Sequence, residues 1–291
     1  MTNPVVAELV ELLGLERLED NLFRGQSRDI GTRYVFGGQV LGQALSAAQQ
    51  TVEISRGAHS LHAYFLRAGD IAAPIVYNVE RTRDGRSFST RRVIAIQHGE
   101  QIFNCTVSFQ IDEQSFEHQT AMPDVPQADA LPSRKVLSAE ELEKLPAKLQ
   151  RWLGSRGPFE LRYVEPRNDF NPGKLKPVQH IWFRLVDRIG DSPALHRAVV
   201  AYASDFNLIG TAMLPHGISW LNGNVHLASL DHAMWFHRPF RADEWLLYSL
   251  DSPTAQGARG LARGQIFSAD GHLVASTAQE GMMRLADDKP S

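Results

Sequence analysis

The chain has 291 residues, of which 43% are hydrophobic and 22% are charged, and its formal net charge is −3. This composition is typical of an ordinary globular protein, the length suits two domains of moderate size, and the small acidic excess gives no reason to expect nucleic acid as a partner. The single cysteine, Cys105, excludes an intrachain disulfide. No signal peptide follows Met1, and no apolar run approaches the roughly 20 residues of a membrane span. We therefore expect a cytoplasmic protein without a membrane span.

Two helices are predicted at the start of the chain. Asn3 suits a helix N-cap and Pro4 suits the first helical position, and apolar residues recur at helical spacing from Val6 to Leu13. A longer helix is predicted from Gly38 to Gln50, because its apolar residues fall on one face. Strands follow: residues 102–109 alternate with a period of two.

Prolines cluster between the two halves of the chain, where they discourage regular structure. One helix is predicted within this segment, because residues 138–141 form a capping box before Leu142 to Leu153. We expect an N-terminal domain at 1–115, a Pro-rich linker with a short helix at 116–177, and a C-terminal domain at 178–291.

The second half repeats the order of the first, with a helix from Ala194 to Met213 and strands at 245–250 and 261–268. His98-Gly99 and Asp270-Gly271 both predict hairpin turns, and Asp-Gly is the stronger signal because both residues tolerate a positive φ.

An internal duplication accounts for this repeated order. The segment around His62 resembles the segment around His232, about 170 residues further on. The spacing of Gly85, Arg91 and Gly99 recurs at a similar distance in Gly257, Arg263 and Gly271.

Four segments carry a resemblance to a known family. They are Phe36-Gly37-Gly38-Gln39, residues 83–92 (RDGRSFSTRR), residues 231–239 (DHAMWFHRP) and residues 275–281 (ASTAQEG). Together they resemble the bacterial acyl-CoA thioesterase II family, from about Leu12 to Arg284. The resemblance implies an α+β double hotdog, in which two antiparallel sheets, related by duplication, each wrap around a long central helix.

The resemblance also implies the site residues and the substrate. The family aspartate falls on Asp205 and the family glutamine on Gln279. The third position, a threonine in bacterial members, falls on Ser229, which keeps the hydroxyl. The implied reaction is hydrolysis of fatty acyl-CoA without a cofactor.

These residue types suit direct attack by water on a thioester. A carboxylate such as Asp205 can take a proton from water, while a hydroxyl and an amide orient that water. A covalent role for Ser229 would need an adjacent base. His232, three residues along a strand from Ser229, is expected on the opposite side of the sheet. The Gly-x-Ser-x-Gly motif of α/β-hydrolases is absent from the sequence.

Four further residues are candidates for binding substrate. Gly37 and Gly38 open the long helix, where backbone amides could receive the oxyanion. The resemblance makes His59 a candidate near the site. Arg91 belongs to a basic run that could contact the phosphates of CoA. No metal site is expected, because the His59–His62 pair lacks a third ligand at a recognisable spacing.

Two alternatives stay open, an enzyme of the same superfamily and a protein of another functional class. A hotdog enoyl-CoA hydratase would use an Asp with a His five residues later, and Gly210 occupies that place after Asp205. A non-catalytic acyl-CoA-binding module is disfavoured by the presence of Asp205 and Gln279. Because hotdog units commonly pair through their sheets, we expect a homodimer or a higher homo-oligomer.

Overall fold

The computed structural model describes residues 3–133, 139–143, 150, 157–219 and 225–285. The helices are α1 (Pro4–Leu13), α2 (Gly37–Gln49), α3 (Ala139–Glu143), α4 (Pro193–Ser204) and α5 (Leu208–Met213). The strands are β1 (Glu16–Glu19), β2 (Leu22–Gly25), β3 (Arg56–Phe65), β4 (Ile75–Asp84), β5 (Phe88–Gln97), β6 (Glu100–Ile111), β7 (Phe159–Tyr163), β8 (Val178–Leu185), β9 (Val225–Ser229), β10 (Asp231–Phe236), β11 (Leu246–Gln256), β12 (Arg259–Ser268) and β13 (Leu273–Leu285).

The strands form one continuous antiparallel sheet in the described part of the chain. Its order is β1-β2-β4-β5-β6-β3-β10-β13-β12-β11-β8-β7, and β9 pairs with β13. The two halves meet where β3 pairs with β10, with His62 opposite Ala233. The predicted double hotdog is thus confirmed, with the difference that the two expected sheets are hydrogen-bonded into one.

The two central helices lie antiparallel on one face of this sheet. Gly42 of α2 approaches α4 so closely that an added Cβ would lie 3.0 Å from the carbonyl oxygen of Ala198. At the other end of the pair, Nε2 of Gln49 donates to the carbonyl oxygen of Ala194 at 3.1 Å. Small residues permit this contact, and α2 is buried from Gly38 to Ala48 except for Ser46. The N-terminus of α2 therefore lies beside the C-terminus of α4.

The predicted helix from Ala194 to Met213 is interrupted. The structure ends α4 at Ser204 and begins α5 at Leu208, and Asn207 between them adopts the left-handed conformation with φ of 69°. Asparagine tolerates this conformation better than most residues. The interruption ends the helix immediately before Asp205, which becomes its C-cap residue.

The segment between the halves does more than connect them. The Trp182 indole donates to the carbonyl oxygen of Pro126 at 2.9 Å, and Ala128 packs with Trp182, Leu247 and Phe267 on the face of the sheet away from the central helices. Within the predicted linker, β7 pairs with β8 and extends the sheet. Helix α3 begins where the capping box predicts a helix, and the remainder of that prediction lies outside the described residues, except for Gln150. The domain boundaries stay a prediction.

Turns and strand registers test the predicted repeat. His98 and Gly99 both have positive φ, at 50° and 77°, as a tight hairpin requires. Asp270-Gly271 also forms a hairpin, but of its two residues Gly271 alone has a positive φ. The alignment of His62 with His232 is wrong by one position, since His62 is exposed while His232 is fully buried. When the buried side chains of β3 are matched to the buried side chains of β10, Leu61 corresponds to His232. None of the described helices is long and apolar enough to cross a membrane.

Candidate active site

Asp205 lies at the junction of the two central helices. Its Oδ2 accepts a hydrogen bond of 2.9 Å from the amide of Gly38, in the first turn of α2. A helix N-terminus stabilises a carboxylate at this position. Glycine is needed for the approach, because an added Cβ would lie 2.7 Å from Asp205 Oδ2 at Gly37 and 2.2 Å from the Tyr202 carbonyl oxygen at Gly38. Asp205 belongs to the C-terminal half, so the site draws on both halves.

Ser229 and Gln279 complete the predicted trio around this carboxylate. The hydroxyl of Ser229, at the end of β9, donates to Oδ1 of Asp205 at 3.3 Å. The side-chain nitrogen of Gln279, in β13, donates to the Ser229 hydroxyl at 2.9 Å. Gln279 is only 1% exposed, so its amide depends on protein partners. The structure brings together the three residues that the family resemblance indicates.

Two further residues extend this network, and sequence reasoning missed both. Nδ1 of His232 lies 2.6 Å from Oε1 of Gln279, and its Nε2 lies 3.0 Å from the hydroxyl of Ser204. His232 is fully buried. The network therefore runs from Ser204 through His232, Gln279 and Ser229 to Asp205.

The expectation that His232 faces away from Ser229 is wrong because the edge formed by β9 and β10 contains an irregularity. Ser229 pairs with Gly281 of β13, whereas Ala233 pairs with Ala278. Between these pairs the β9–β10 side carries one residue more than β13. Such a bulge shifts the alternation of side chains by one position. Ser229 and His232 consequently contact the same glutamine.

Burial controls the ionisation of the two titratable groups in the network. Desolvation raises the pKa of Asp205 above its ordinary value, against the opposing effects of His232 and of the hydrogen bonds that the carboxylate accepts. The rings of Phe36 and Phe206, which are next to Gly37 and Asp205 in the sequence, stack with centroids 4.6 Å apart. Desolvation lowers the pKa of His232, although the charge of Asp205 opposes this shift. The favoured state of His232 is the neutral imidazole.

Two of the other predicted site residues lie away from the trio. His59 is near the start of β3, where its Nε2 lies 2.8 Å from the Ser108 hydroxyl. The opposite end of that strand reaches the site, because Phe65 lies beside Gly37. The structure therefore separates His59 from Asp205 by most of a strand.

Arg91 is also remote from the trio, and it is 1% exposed. Its Nε and Nη2 donate to the side chain and backbone of Thr51, which follows the C-terminus of α2, and Nη2 also reaches Asp84 at 2.7 Å. Nη1 donates to the carbonyl oxygens of Arg83 and Thr90. With these donors engaged by the protein, the placement favours a structural role over contact with a phosphate.

Arg91 also shows how the N-terminal half differs from the C-terminal half at the position of Gln279. It is the fourth residue of β5 and pairs with Val107, while Ala262 is the fourth residue of β12 and pairs with Gln279. Corresponding positions thus hold Arg91 and Val107 in one half but Ala262 and Gln279 in the other. The predicted alignment of Arg91 with Arg263 is therefore wrong by one position, since Arg91 and Ala262 are both buried while Arg263 is exposed. Within the described residues, the carboxylate–hydroxyl–amide arrangement occurs at one end of the helix pair.

The arrangement offers an acceptor for a proton and polar groups to orient a small molecule. The Asp205 carboxylate is one acceptor, and the Ser229 hydroxyl and Gln279 amide lie directly beside it. No group of three or more His, Cys, Asp or Glu side chains suited to a metal ion occurs in the described part of the chain. A carboxylate with a hydroxyl and an amide beside it has the chemical groups that general base catalysis uses.

Duplicated units, each with a long helix lying on an antiparallel sheet, define a protein of the hotdog fold, and the carboxylate, hydroxyl and amide at the helix junction form its candidate active site. Family models support this class: one described as acyl-CoA thioesterase matches residues 155–282, and one described as its N-terminal domain matches residues 25–110. A solved protein described as having a hotdog fold, from Alicyclobacillus acidocaldarius, superimposes with a TM-score of 0.75 at 20% identity, covering 98% of this chain and 99% of that one.

Two closer relatives show the family. Acyl-CoA thioesterase 2 of Haemophilus influenzae is 44% identical over 97% of this chain and 99% of its own length. The crystal structure of an acyl-CoA thioesterase II of Mycobacterium marinum is 41% identical with a TM-score of 0.77, covering 98% of this chain and 100% of that one. The chain belongs to the acyl-CoA thioesterase family and is a hydrolase.

Proposed function

We propose that the protein hydrolyses fatty acyl-CoA to free fatty acid and CoA by direct attack of water. Asp205 is the general base, and Ser229 and Gln279 position the water. The observation that carries this proposal is the Asp205 carboxylate, held by the Gly38 amide on one oxygen and the Ser229 hydroxyl on the other. General base catalysis of this kind contributes roughly 10²–10⁴-fold to a rate.

The proposed reaction has two proton transfers. Asp205 removes a proton from water as the oxygen attacks the thioester carbonyl, which gives a tetrahedral intermediate with a negatively charged oxygen. Collapse of this intermediate breaks the carbon–sulfur bond. The proton held by Asp205 then passes to the departing sulfur, which leaves as the thiol of CoA. The raised pKa of Asp205 helps it hold that proton between the two steps.

The oxyanion is assigned to the backbone at the start of α2. The Gly38 amide is already engaged by Asp205. The Gly37 amide has no hydrogen-bond partner among the described residues. Because Gly37 carries no side chain, a substrate carbonyl could approach its amide closely. We therefore propose Gly37 rather than Gly38 as the oxyanion donor.

The structure offers one observation that bears on the hydratase alternative. His232 joins the network of Asp205, so an aspartate and a histidine do occur together. However, His232 is fully buried, and both of its ring nitrogens have protein partners. It has no surface with which to contact a substrate, and this favours hydrolysis over hydration.

The test is release of free thiol from palmitoyl-CoA and from a short-chain acyl-CoA by the purified protein. We expect thiol release to exceed the rate without enzyme by several orders of magnitude. A conjugated enoyl-CoA should lose its thioester and not its double bond. Absence of thiol release from every chain length would contradict the proposal, as would hydration of the enoyl substrate.

A second measurement separates direct attack from a covalent intermediate. Ser229 lies beside a carboxylate, so an acyl-enzyme on its oxygen is the main rival mechanism. Rapid acid quenching during turnover, followed by intact mass spectrometry, should show the unmodified chain alone. A mass increase equal to the acyl group, mapped to Ser229, would overturn direct attack.

We also infer that the protein is a homodimer or a higher homo-oligomer, since hotdog sheets commonly pair. The outer surface at the junction of β3 and β10 carries Tyr64, which is 60% exposed, and the rings of His62 and Trp235, which contact each other. Size-exclusion chromatography with light scattering should give at least twice the mass of the chain. A single-chain mass at micromolar concentration would contradict this inference.

A further inference from the structure

We infer that His232 is a positioning residue, which fixes the orientation of the Gln279 amide and thereby directs the Ser229 hydroxyl at Asp205. This inference rests on the proposed role of the trio. It begins from two contacts of a fully buried imidazole, 2.6 Å to Gln279 and 3.0 Å to Ser204. Both ring nitrogens of His232 have protein partners, so His232 acts through Gln279 rather than on the water itself.

The direction of each hydrogen bond follows from counting protons. An amide nitrogen donates and an amide oxygen accepts. With Nε2 of Gln279 facing Ser229, its Oε1 faces Nδ1 of His232, which must therefore carry a proton. The Ser229 hydroxyl oxygen accepts a hydrogen bond from Gln279, and its own proton is free to be donated to Asp205. Each hydrogen bond from His232 through Gln279 and Ser229 is then donated in the direction of the Asp205 carboxylate.

If the Gln279 amide were turned by 180°, the direction of these hydrogen bonds would reverse. If Nδ1 of His232 lacked its proton, the Gln279 nitrogen would turn to donate to it, and Oε1 would face Ser229. The single proton of the Ser229 hydroxyl would then be drawn to Oε1. The Ser229 oxygen would then lie 3.3 Å from an Asp205 oxygen with no proton between the two atoms. The water would also lose the Gln279 N–H as a possible partner.

Burial makes His232 the group that decides between these two arrangements. Gln279 is 1% exposed and His232 is fully buried, so bulk water cannot replace the lost contact. The Ser204 hydroxyl lies 3.0 Å from Nε2 of His232 and 2.8 Å from the carbonyl oxygen of Ala201. Because a hydroxyl has one proton, the Nδ1-protonated tautomer requires that this proton turn from Ala201 to Nε2. The Tyr248 hydroxyl donates to the Ser204 carbonyl oxygen at 2.9 Å and holds that turn of the chain.

A residue that acts in this way affects the chemical step and not the binding of substrate. Replacing His232 by leucine removes both polar contacts while filling much of the ring's space. We expect kcat to fall roughly 10- to 100-fold, the order associated with misplaced catalytic groups, with KM within about threefold. His232→Asn should recover most of kcat, because its amide nitrogen takes the position of Nδ1 and can donate to Gln279.

A double-mutant cycle tests whether His232 acts through Gln279. In a Gln279→Leu background there is no amide to orient, so adding His232→Leu should change kcat by less than about twofold. A purely structural role predicts that the two losses multiply. Multiplying losses, or full activity of His232→Leu, would overturn the inference.

A spectroscopic readout keeps the inference testable if His232→Leu does not fold. Nitrogen-15 NMR of the wild-type protein at neutral pH should show His232 protonated on Nδ1 and unprotonated on Nε2. The opposite tautomer would contradict the inference directly. The outcome is also separable from the proposed function: if Asp205→Asn is inactive but His232→Leu is fully active, only the positioning role fails.

Discussion

The carboxylate of Asp205 accepts a hydrogen bond from the amide of Gly38, 167 positions earlier in the chain. This bond joins the end of one central helix to the start of the other, each from a different half of the duplication. The carboxylate is therefore held by a helix N-terminus that its own half does not supply. Each half contributes what the other lacks, which ties activity to the packing of the two halves.

Gly37→Ala should reduce activity with little change in folding. The new Cβ would lie 2.7 Å from Asp205 Oδ2, so the carboxylate must move. We expect kcat to fall roughly 10- to 100-fold, as for other displaced catalytic groups. Gly210→Ala is the matched control, because a Cβ there meets no atom within 4 Å. In helix α5 this control should keep wild-type activity and gain up to about 1 kcal/mol of stability. Equal kinetics for the two variants would contradict the assignment.

The pH dependence of kcat/KM should show an acid limb above the ordinary range of an aspartate. Activity requires ionised Asp205, and burial raises the pKa of this carboxyl. The rate should therefore fall as pH decreases through that raised pKa, and it should level off above it. Steady-state thiol release across a pH series measures the limb. A rate that stays level down to about pH 4 would show that an unperturbed carboxylate, or none, is the base.

Two substitutions at Ser229 separate an orienting hydroxyl from a nucleophile. Ser229→Thr keeps the hydroxyl that donates to Asp205, so its kcat should stay within about threefold of wild type. Ser229→Ala removes one orienting group, and we expect a loss of roughly 10- to 100-fold with measurable activity remaining. Complete loss in Ser229→Ala would instead favour the covalent mechanism.

Arg91→Met distinguishes a structural role from contact with CoA. The guanidinium bonds Thr51 and Asp84 within the fold, and the lost hydrogen bonds should cost about 2 kcal/mol of unfolding free energy. Because Arg91 lies at the far end of α2 from Asp205, KM for acyl-CoA should stay within about twofold. Denaturant unfolding and steady-state kinetics provide the two readouts. A large rise in KM without loss of stability would restore the phosphate-binding role.

The sequence predicts the elements of this fold better than the geometry between them. Helix α2 ends within a residue of its prediction at both ends, because its apolar spacing and flanking glycines are local features. The break after α4 depends on Asn207 in the left-handed conformation, and nothing in the helical periodicity marks it. Because that break sets the position of Asp205, the most consequential feature of the site was not predictable from pattern alone.

The candidate site shows the same division. The family resemblance assigns Asp205, Ser229 and Gln279, and the structure brings them together. His232 was missed because regular alternation of side chains along a strand would place it on the face opposite Ser229. In the structure, the segment from Ser229 to Ala233 contains one residue more than the part of β13 that it pairs with. A bulge leaves little trace in composition. The full burial of an imidazole between Gln279 and Ser204 becomes visible only in three dimensions.

The raised pKa of Asp205 also predicts whether Asp205→Asn stabilises or destabilises the fold. A carboxyl whose pKa is raised in the folded state binds its proton more tightly there than in the unfolded chain. Its contribution to stability is therefore lost as pH rises above the unfolded pKa and through the folded one. Near pH 7 the ionised group destabilises the fold, and its neutral amide should raise Tm. The Tm of Asp205→Asn relative to wild type should therefore increase as pH rises through the folded pKa, and a difference that does not change with pH would contradict the raised pKa.

The most direct test of the mechanism is thiol release from palmitoyl-CoA by Asp205→Asn, compared with wild type. Asp251→Asn serves as the control, because Asp251 is paired with Arg263 on the exposed surface. We predict that Asp205→Asn loses at least about 100-fold in kcat with its fold intact by circular dichroism, as expected for removal of a general base, while Asp251→Asn keeps the wild-type rate. Full activity in a folded Asp205→Asn variant would contradict the assignment of Asp205 as the base.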